Sequence, residues 1–476
     1  MTAATIGALV VVLVLFFALL SVRLHAGLAL MVSALVGVLI LRGTGAGVST
    51  VANQPFSTAA DYSLTIIPLF IVMGVFAVRA GLAQAAFDLA TSAFRRLPGG
   101  PALASLAGSG MFAAVTGSSV ATVATMARVS TDAIVRAGYN IRLAAGVVCA
   151  GGTLGVLIPP SIVLVLYGVV TEESIGQLLI AGIGPGLLTI AAYAVTIVAL
   201  VAWQRRRVAD RELVRVGAGS DSASDEVVDG RDEVVDGRDE VVDGRDEVAD
   251  EPGEPTGRDI TGFLYLVVIF AVSVGTIYLG VATPTEAASF GAFAALIILL
   301  LRSRPAAWLR NVEESLREAV GLTAMTFLLM VGAGVFTYVL ALSGASTSLV
   351  NAVTAADLPP YVVLVACLAV LLPLGMFLDG ISMILIAAPL LHPILTGYGF
   401  DGIWIGVLIV KVAEMALITP PVGMNAFVYS GAVREADLGR VFRGIVPFVA
   451  ADLVVVAVLI AFPAVVTFLP SMSGAQ

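Results

Sequence analysis

Two proline pairs stand inside otherwise apolar runs: Pro159-Pro160 in "GTLGVLIPPS" and Pro420-Pro421 in "ALITPPVGMN". A proline inside a helix removes a backbone donor and clashes with the preceding turn, at about 3 kcal/mol or more. In hydrocarbon the freed carbonyls have no water to bond. Such a break persists where protein covers it or where an ion or ligand uses it. Oxygen-bearing residues gather in two further places. "TGSSVAT" sets Thr116, Ser118, Ser119 and Thr122 around Gly117, and "LDGIS" sets Asp379 beside Gly380. Neutral hydroxyl and carbonyl oxygens suit a hard cation, so Na+ is the expected ion. One site would combine Thr116, Gly117, Ser118 and Ser119 with Thr153, Gly155 and Ser161. Its counterpart would combine Asp379 and Gly380 with Thr419 and Gly423. Ser119, Ser161, Asp379 and Asn425 are the candidates for holding a substrate. Small residues in such stretches also serve tight helix packing.

Charges within apolar runs are functional candidates. Asp379 sits at an interruption, while Lys411 and Glu414 lie three apart on one run and could neutralise each other. Lys411 is the only lysine in the chain. Gly108, Ser109 and Gly110 superficially resemble a serine protease turn. A nucleophilic serine needs a base, and only His392, far along the chain, could supply one. Enzymatic activity is therefore not expected. Cys149 and Cys367 fall in apolar runs and read as core residues. His25 and His392 have no metal-ligand spacing. No cofactor is expected beyond a coupling ion.

The elements that must position these residues are membrane helices. The chain is 59% hydrophobic and 12% charged, with a mean hydropathy of +1.02. About 20 apolar residues span a bilayer, and such runs recur near 5–22, 25–42, 63–80, 141–170, 177–203, 261–280, 284–301, 318–342, 402–431 and 441–469. The first lacks a basic start and a cleavage site, so it reads as a retained span. Two further runs, 101–127 and 360–391, are interrupted by "GSGMFAAVTGSSVAT" and "LPLGMFLDGISM" and read as re-entrant hairpins. With that count, one face collects Arg23, Arg95, Arg96, Arg128, Arg136, Arg142, Arg205 to Arg207 and the arginines near 302–310 and 434–443; the other receives Arg42. The positive-inside rule then makes the first face cytoplasmic and both termini extracytoplasmic. Residues 204–260 hold 18 of the 34 acidic and 9 of the 25 basic residues, so the whole net charge of −9 lies there. Their DEVVDGR repeat offers no coiled-coil seam and reads as a disordered cytoplasmic linker.

The chain is also duplicated. Pro420-Pro421 follow Pro159-Pro160 by 261 residues, as Pro359 follows Pro98, Asp379 follows Ser118 and Gly399 follows Gly138. The expected organisation is scaffold helices in 1–62, repeat 1 in 63–203, the linker, scaffold helices in 261–317 and repeat 2 in 318–476. One hairpin enters from each side, so the repeats are inverted, an arrangement that places a transport site at mid-membrane. The fold expected is all-α and polytopic, with about ten spans, two hairpins and two helices broken at Pro-Pro.

"TGSSVATVATMARVS", "GGTLGVLIPPSIVLVLYG", "FLDGISMILIAAPLLHPIL" and "LITPPVGMNAFVYSG" together resemble the large membrane subunit of TRAP transporters, the DctM type. The resemblance implies a sodium-coupled, elevator-type importer of organic acids such as C4-dicarboxylates in the prokaryotic inner membrane. It also implies an extracytoplasmic substrate-binding protein (DctP type), a small four-helix membrane subunit (DctQ type) and no nucleic acid. Sodium sites between hairpin tips and broken helices match the two clusters above. The amphipathic stretches 82–97 and 346–359 would be interfacial arm helices. The competing expectation is a proton-coupled or binding-protein-independent carrier of the same superfamily, with Asp379 or Glu414 carrying the proton.

Overall fold

The computed structural model describes residues 3–116, 118–218, 257–376 and 378–473, with side chains except those of 3–4, 113–116, 205–218 and 257–259. Gly117, the side chain of Thr116 and the DEVVDGR repeat lie outside these described residues. The all-α expectation holds: among the described residues there is helix and no strand. Among the described residues, eight helices are long and apolar enough to cross a membrane, and a bent pair, Ile141–Leu157 with Ile162–Thr171, makes up to nine. Thr5–Ser21 and Pro360–Gly375 are shorter apolar helices.

Ala26–Ala59 packs along Trp308–Ser343. Their backbones touch, since a Cβ on Gly332 would lie 2.2 Å from the Gly27 carbonyl oxygen. Small residues permit this approach, which side-chain packing would otherwise hold apart. Ala26–Ala59 runs beyond the expected span end at 42 and bends at Gly43, whose φ of 79° favours glycine. Pro284–Arg302 packs on Ile66–Arg79. Arg302 Nε donates to the Ala80 carbonyl at 2.7 Å and Arg79 pairs with Glu314, so three helix ends lie on one side.

The first hairpin is Gly100–Thr116 followed by Ser119–Arg136, and the first broken helix is Ile141–Leu157 plus Ile162–Thr171. The second hairpin is Pro360–Gly375 followed by Gly380–Gly397, and the second broken helix is Gly402–Ile418 plus Met424–Ala432. A shift of 261 residues carries Ser119–Arg136 onto Gly380–Gly397 and Ile141–Leu157 onto Gly402–Ile418, end to end. Leu82–Phe94 and Ala345–Ala355 are helices at the two amphipathic stretches, each opened by a left-handed glycine, Gly81 and Gly344.

The breaks are built locally. Leu157 ends its helix because Ile158 turns extended ahead of Pro159 and Pro160, as a residue before proline tends to do. Ser161 then caps the next helix, its hydroxyl accepting from the Leu164 N–H at 3.1 Å. In the second copy Thr419 is extended ahead of Pro420, and Gly423 at φ 58° turns the chain into the next helix.

The broken helices run antiparallel. A Cβ on Gly146 would lie 2.2 Å from the Gly444 carbonyl, and one on Gly444 would lie 2.0 Å from that of Arg142. The start of the first broken helix therefore touches Leu438–Ala461, which follows the end of the second. At the other end, the Tyr167 hydroxyl donates to the Gly402 carbonyl at 3.2 Å and His392 Nε2 meets Glu173 at 3.0 Å. The end of the first broken helix thus faces the start of the second, so the repeats are inverted.

Other boundaries also differ from the sequence reading. The run at 441–469 is two helices, Leu438–Ala461 and Ala464–Met472, separated at Pro463. Ile183–Ala218 continues past Trp203 into the stretch read as linker, because "QRRRVADRELVRV" is rich in good helix formers.

Candidate ion and substrate site

The first hairpin tip meets both broken helices at one point. Ser119, buried at the start of the second arm, accepts a hydrogen bond from Asn425 Nδ2 at 2.9 Å. The same amide nitrogen donates to the Cys149 carbonyl at 3.3 Å. A carbonyl can only accept, which fixes the orientation of the Asn425 amide. Gly152 makes room: a Cβ there would lie 2.3 Å from a Val123 methyl and 3.1 Å from the Ser119 carbonyl. Thr131 and Tyr429 join the same two elements lower down, hydroxyl to hydroxyl at 3.0 Å.

Ser118 caps the arm through the Ala121 N–H at 3.4 Å, and its carbonyl accepts from the Thr122 hydroxyl at 2.8 Å. Gly155 and Ser161 are buried at the first break. Thr153 faces elsewhere. Its hydroxyl donates to the Ala150 carbonyl at 2.7 Å and meets the Tyr193 hydroxyl at 3.1 Å.

At the second tip, the Asp379 carboxylate caps Gly380–Gly397, accepting from the Ile381 and Ser382 N–H groups at 3.2 and 3.3 Å and from the Ser382 hydroxyl. Gly380 lies against the second broken helix: a Cβ on it would lie 2.9 Å from Glu414 Oε1. The Thr419 hydroxyl donates back to the Met415 carbonyl at 2.6 Å, leaving its lone pairs free for another partner. Gly423 stands at the turn with the Phe442 ring 3.0 Å from where its Cβ would be.

The expected pairing of Lys411 with Glu414 is not what forms. Lys411, fully buried, pairs instead with Asp452 on Leu438–Ala461, which is also fully buried. Asp452 accepts from the Tyr193 hydroxyl at 2.8 Å, extending the chain of contacts to Thr153. The three-residue spacing puts Lys411 and Glu414 on neighbouring turns, but a carboxylate on another helix takes the lysine. Asp452 and Tyr193 were missed in the sequence, although "FVAADLVVVAV" shows a single carboxylate in an apolar run, the signal that marks a functional candidate. Ser109 is buried beside Gly151, and His392 is engaged with Glu173 and the Tyr167 ring.

Residues 13–465 match the profile of a family described as the tripartite ATP-independent periplasmic transporter, DctM component. The chain belongs to this family. It is 34% identical over 427 residues, 90% of each chain, to the C4-dicarboxylate TRAP transporter large permease protein DctM of Pseudomonas aeruginosa. It is 27% identical to the ectoine/5-hydroxyectoine TRAP transporter large permease protein UehC of Ruegeria pomeroyi, over 99% of both chains. The isethionate TRAP transporter permease protein DctMQ of Oleidesulfovibrio alaskensis is 30% identical over 88% of this chain and 60% of that longer one. Among solved structures, the Alcanivorax borkumensis YdaH transporter superposes with a TM-score of 0.60 at 15% identity, over 89% of this chain and 90% of that one. That likeness is one of fold. As a TRAP large permease, the chain is a multi-pass membrane transporter subunit and not an enzyme.

Proposed function

We propose that this chain is the translocating subunit of a Na+-coupled importer for an organic acid, a C4-dicarboxylate foremost, delivered by an extracytoplasmic binding protein. The observation that carries this reading is the convergence of both hairpin tips on the broken helices, Ser119 on Asn425 and Gly380 against Glu414. Oxygens at Ser118, Ser119, Gly155 and Ser161 would hold one Na+, and those of Asp379, Thr419 and Gly423 a second. The helix starting after Ser161 directs free N–H groups into the break, where a substrate carboxylate is favoured. Asn425 would orient that carboxylate.

The pair formed by Ala26–Ala59 and Trp308–Ser343 would stay fixed while hairpins and broken helices move together across the bilayer. Arg79, Arg302 and Glu314, gathered on one side, fit the cytoplasmic face read from the arginine distribution. The termini would then be extracytoplasmic, in the inner membrane. The small partner would be a DctQ-type subunit; the name of the DctMQ relative fits the two working as a unit.

The test is reconstitution in liposomes with an inward Na+ gradient. The chain alone should take up little C4-dicarboxylate, and adding the small subunit with loaded binding protein should restore uptake. Full uptake by the chain alone would favour a carrier that needs no binding protein.

A further inference from the structure

Glu414 is almost wholly buried, yet neither carboxylate oxygen has a hydrogen-bond partner. The cation nearest in sequence, Lys411, is taken by Asp452. The Asn425 carbonyl oxygen is likewise buried and unpartnered, because the amide nitrogen faces Ser119 and the Cys149 carbonyl. Ser119 links the two. Its hydroxyl bonds Asn425 and lies alongside Glu414 without forming a well-directed hydrogen bond to it. Glu414 Oε1 also abuts Gly380 of the opposite hairpin. Two residues with acceptor oxygens that lack donors therefore border Ser119, where the two halves of the molecule meet.

Buried polar groups in native proteins are satisfied, and each exception calls for a cause. A buried charge must be paired or must bind an ion. A proton on one Glu414 oxygen could donate to at most one further oxygen and would leave the remaining one orphaned. A cation held by several oxygens satisfies all of them together. Charge selects its valence: one carboxylate with neutral oxygens balances a monovalent ion, whereas a divalent ion would leave an uncompensated buried charge.

We propose that Glu414, the Asn425 carbonyl oxygen and the Ser119 hydroxyl, which the first site shares, bind a further monovalent cation, Na+, at the junction of the two hairpin tips, beside the sites at Ser118/Gly155 and Asp379/Thr419. This deepens the Na+-coupled reading and rests on it. The site draws ligands from both repeats, so filling it ties the hairpins together. An occupied site would let both tips move as one body, and an empty one would leave Glu414 uncompensated between them. Glu414 is thereby a specificity-determining residue for the coupling ion.

The experiment measures Na+ per substrate from reversal potentials in proteoliposomes containing the three components, and Na+ bound per chain with 22Na+ on the purified protein. Glu414→Gln should lose one Na+ per transported substrate and one bound 22Na+. Glu414→Asp should keep both numbers with a several-fold higher Na+ half-saturation. The binding arm reads the result even if Glu414→Gln no longer transports. Unchanged Na+ stoichiometry and binding in Glu414→Gln would overturn the proposal, as would loss of H+ rather than Na+ from the cycle. If the unmodified protein shows no Na+ dependence at all, the Na+-coupled reading itself fails, a result distinct from failure at Glu414 alone.

Discussion

Replacing Asp452 by leucine strands Lys411 in the interior. Both side chains are fully buried, and the carboxylate is the ion-pair partner of the lysine. Removing one member of a buried pair costs about 3–5 kcal/mol, because the remaining charge is left uncompensated. The Tyr193 hydroxyl also loses the acceptor at 2.8 Å, though it keeps Thr153 at 3.1 Å; an unmet donor costs about 1–3 kcal/mol. The expected loss is about 4 kcal/mol, roughly a thousandfold in the folded-to-unfolded ratio at about 1.4 kcal/mol per tenfold. Combining Asp452→Leu with Lys411→Met removes both charges, leucine keeping the branching of the aspartate and methionine the approximate size of the lysine. Such replacements are often neutral or stabilising, so the double variant should recover to within about 1.5 kcal/mol of the parent. The assay is SDS titration of the purified protein in mixed micelles, read as a double-mutant cycle. Single-variant losses that simply add in the double variant would refute mutual compensation, as would an Asp452→Leu loss below about 1 kcal/mol. A double variant that is stable but inactive would assign the pair a part in transport.

Other outcomes follow from the same geometry. Gly444→Ala should cost about 1–3 kcal/mol by forcing backbones apart, since its Cβ would lie 2.0 Å from the Arg142 carbonyl; Gly431→Ala, with nothing within 4 Å, is the control and should not destabilise. Asp379→Asn should abolish most uptake yet leave thermal stability close to the parent, because asparagine caps a helix as well as aspartate; a matching fall in stability would make Asp379 a cap and nothing more. Ser119→Ala should raise the Na+ half-saturation about fivefold for one lost oxygen worth about 1 kcal/mol. Deleting residues 221–250 should leave uptake largely intact, and Ser222→Cys should resist membrane-impermeant labelling in intact cells; labelling there would reverse the proposed orientation.

The sequence made the helices and their duplication legible because both depend on patterns along the chain. Apolar runs, proline pairs and the 261-residue spacing between Ser118 and Asp379 need no knowledge of which helix touches which. What stayed hidden depends on lateral packing. Glu414 is three residues from Lys411 and reads as its partner, but Leu438–Ala461 brings Asp452 against the lysine instead. Thr153 and Ser161 sit on the same broken helix, yet one faces Tyr193 and the other caps the break. The meeting of Ser119 with Asn425, 306 residues apart, also depends on the two repeats folding onto each other. Gly152 permits that approach, and as one glycine among 49 it gives no sign of doing so.

Substrate uptake with Na+ and H+ gradients imposed separately tests the central claim most directly. Proteoliposomes holding this chain, its small partner and loaded binding protein should take up substrate when a Na+ gradient is imposed at equal pH. Withdrawing Na+ at constant pH should stop uptake, and a pH gradient alone should not restore it. The reasoning is that Ser118, Ser119, Gly155 and Ser161 offer neutral oxygens, which can replace water around Na+ but have no proton to give near neutral pH. Uptake that persists without Na+ and follows the pH gradient would contradict this account and make Asp379 or Glu414 the proton carrier.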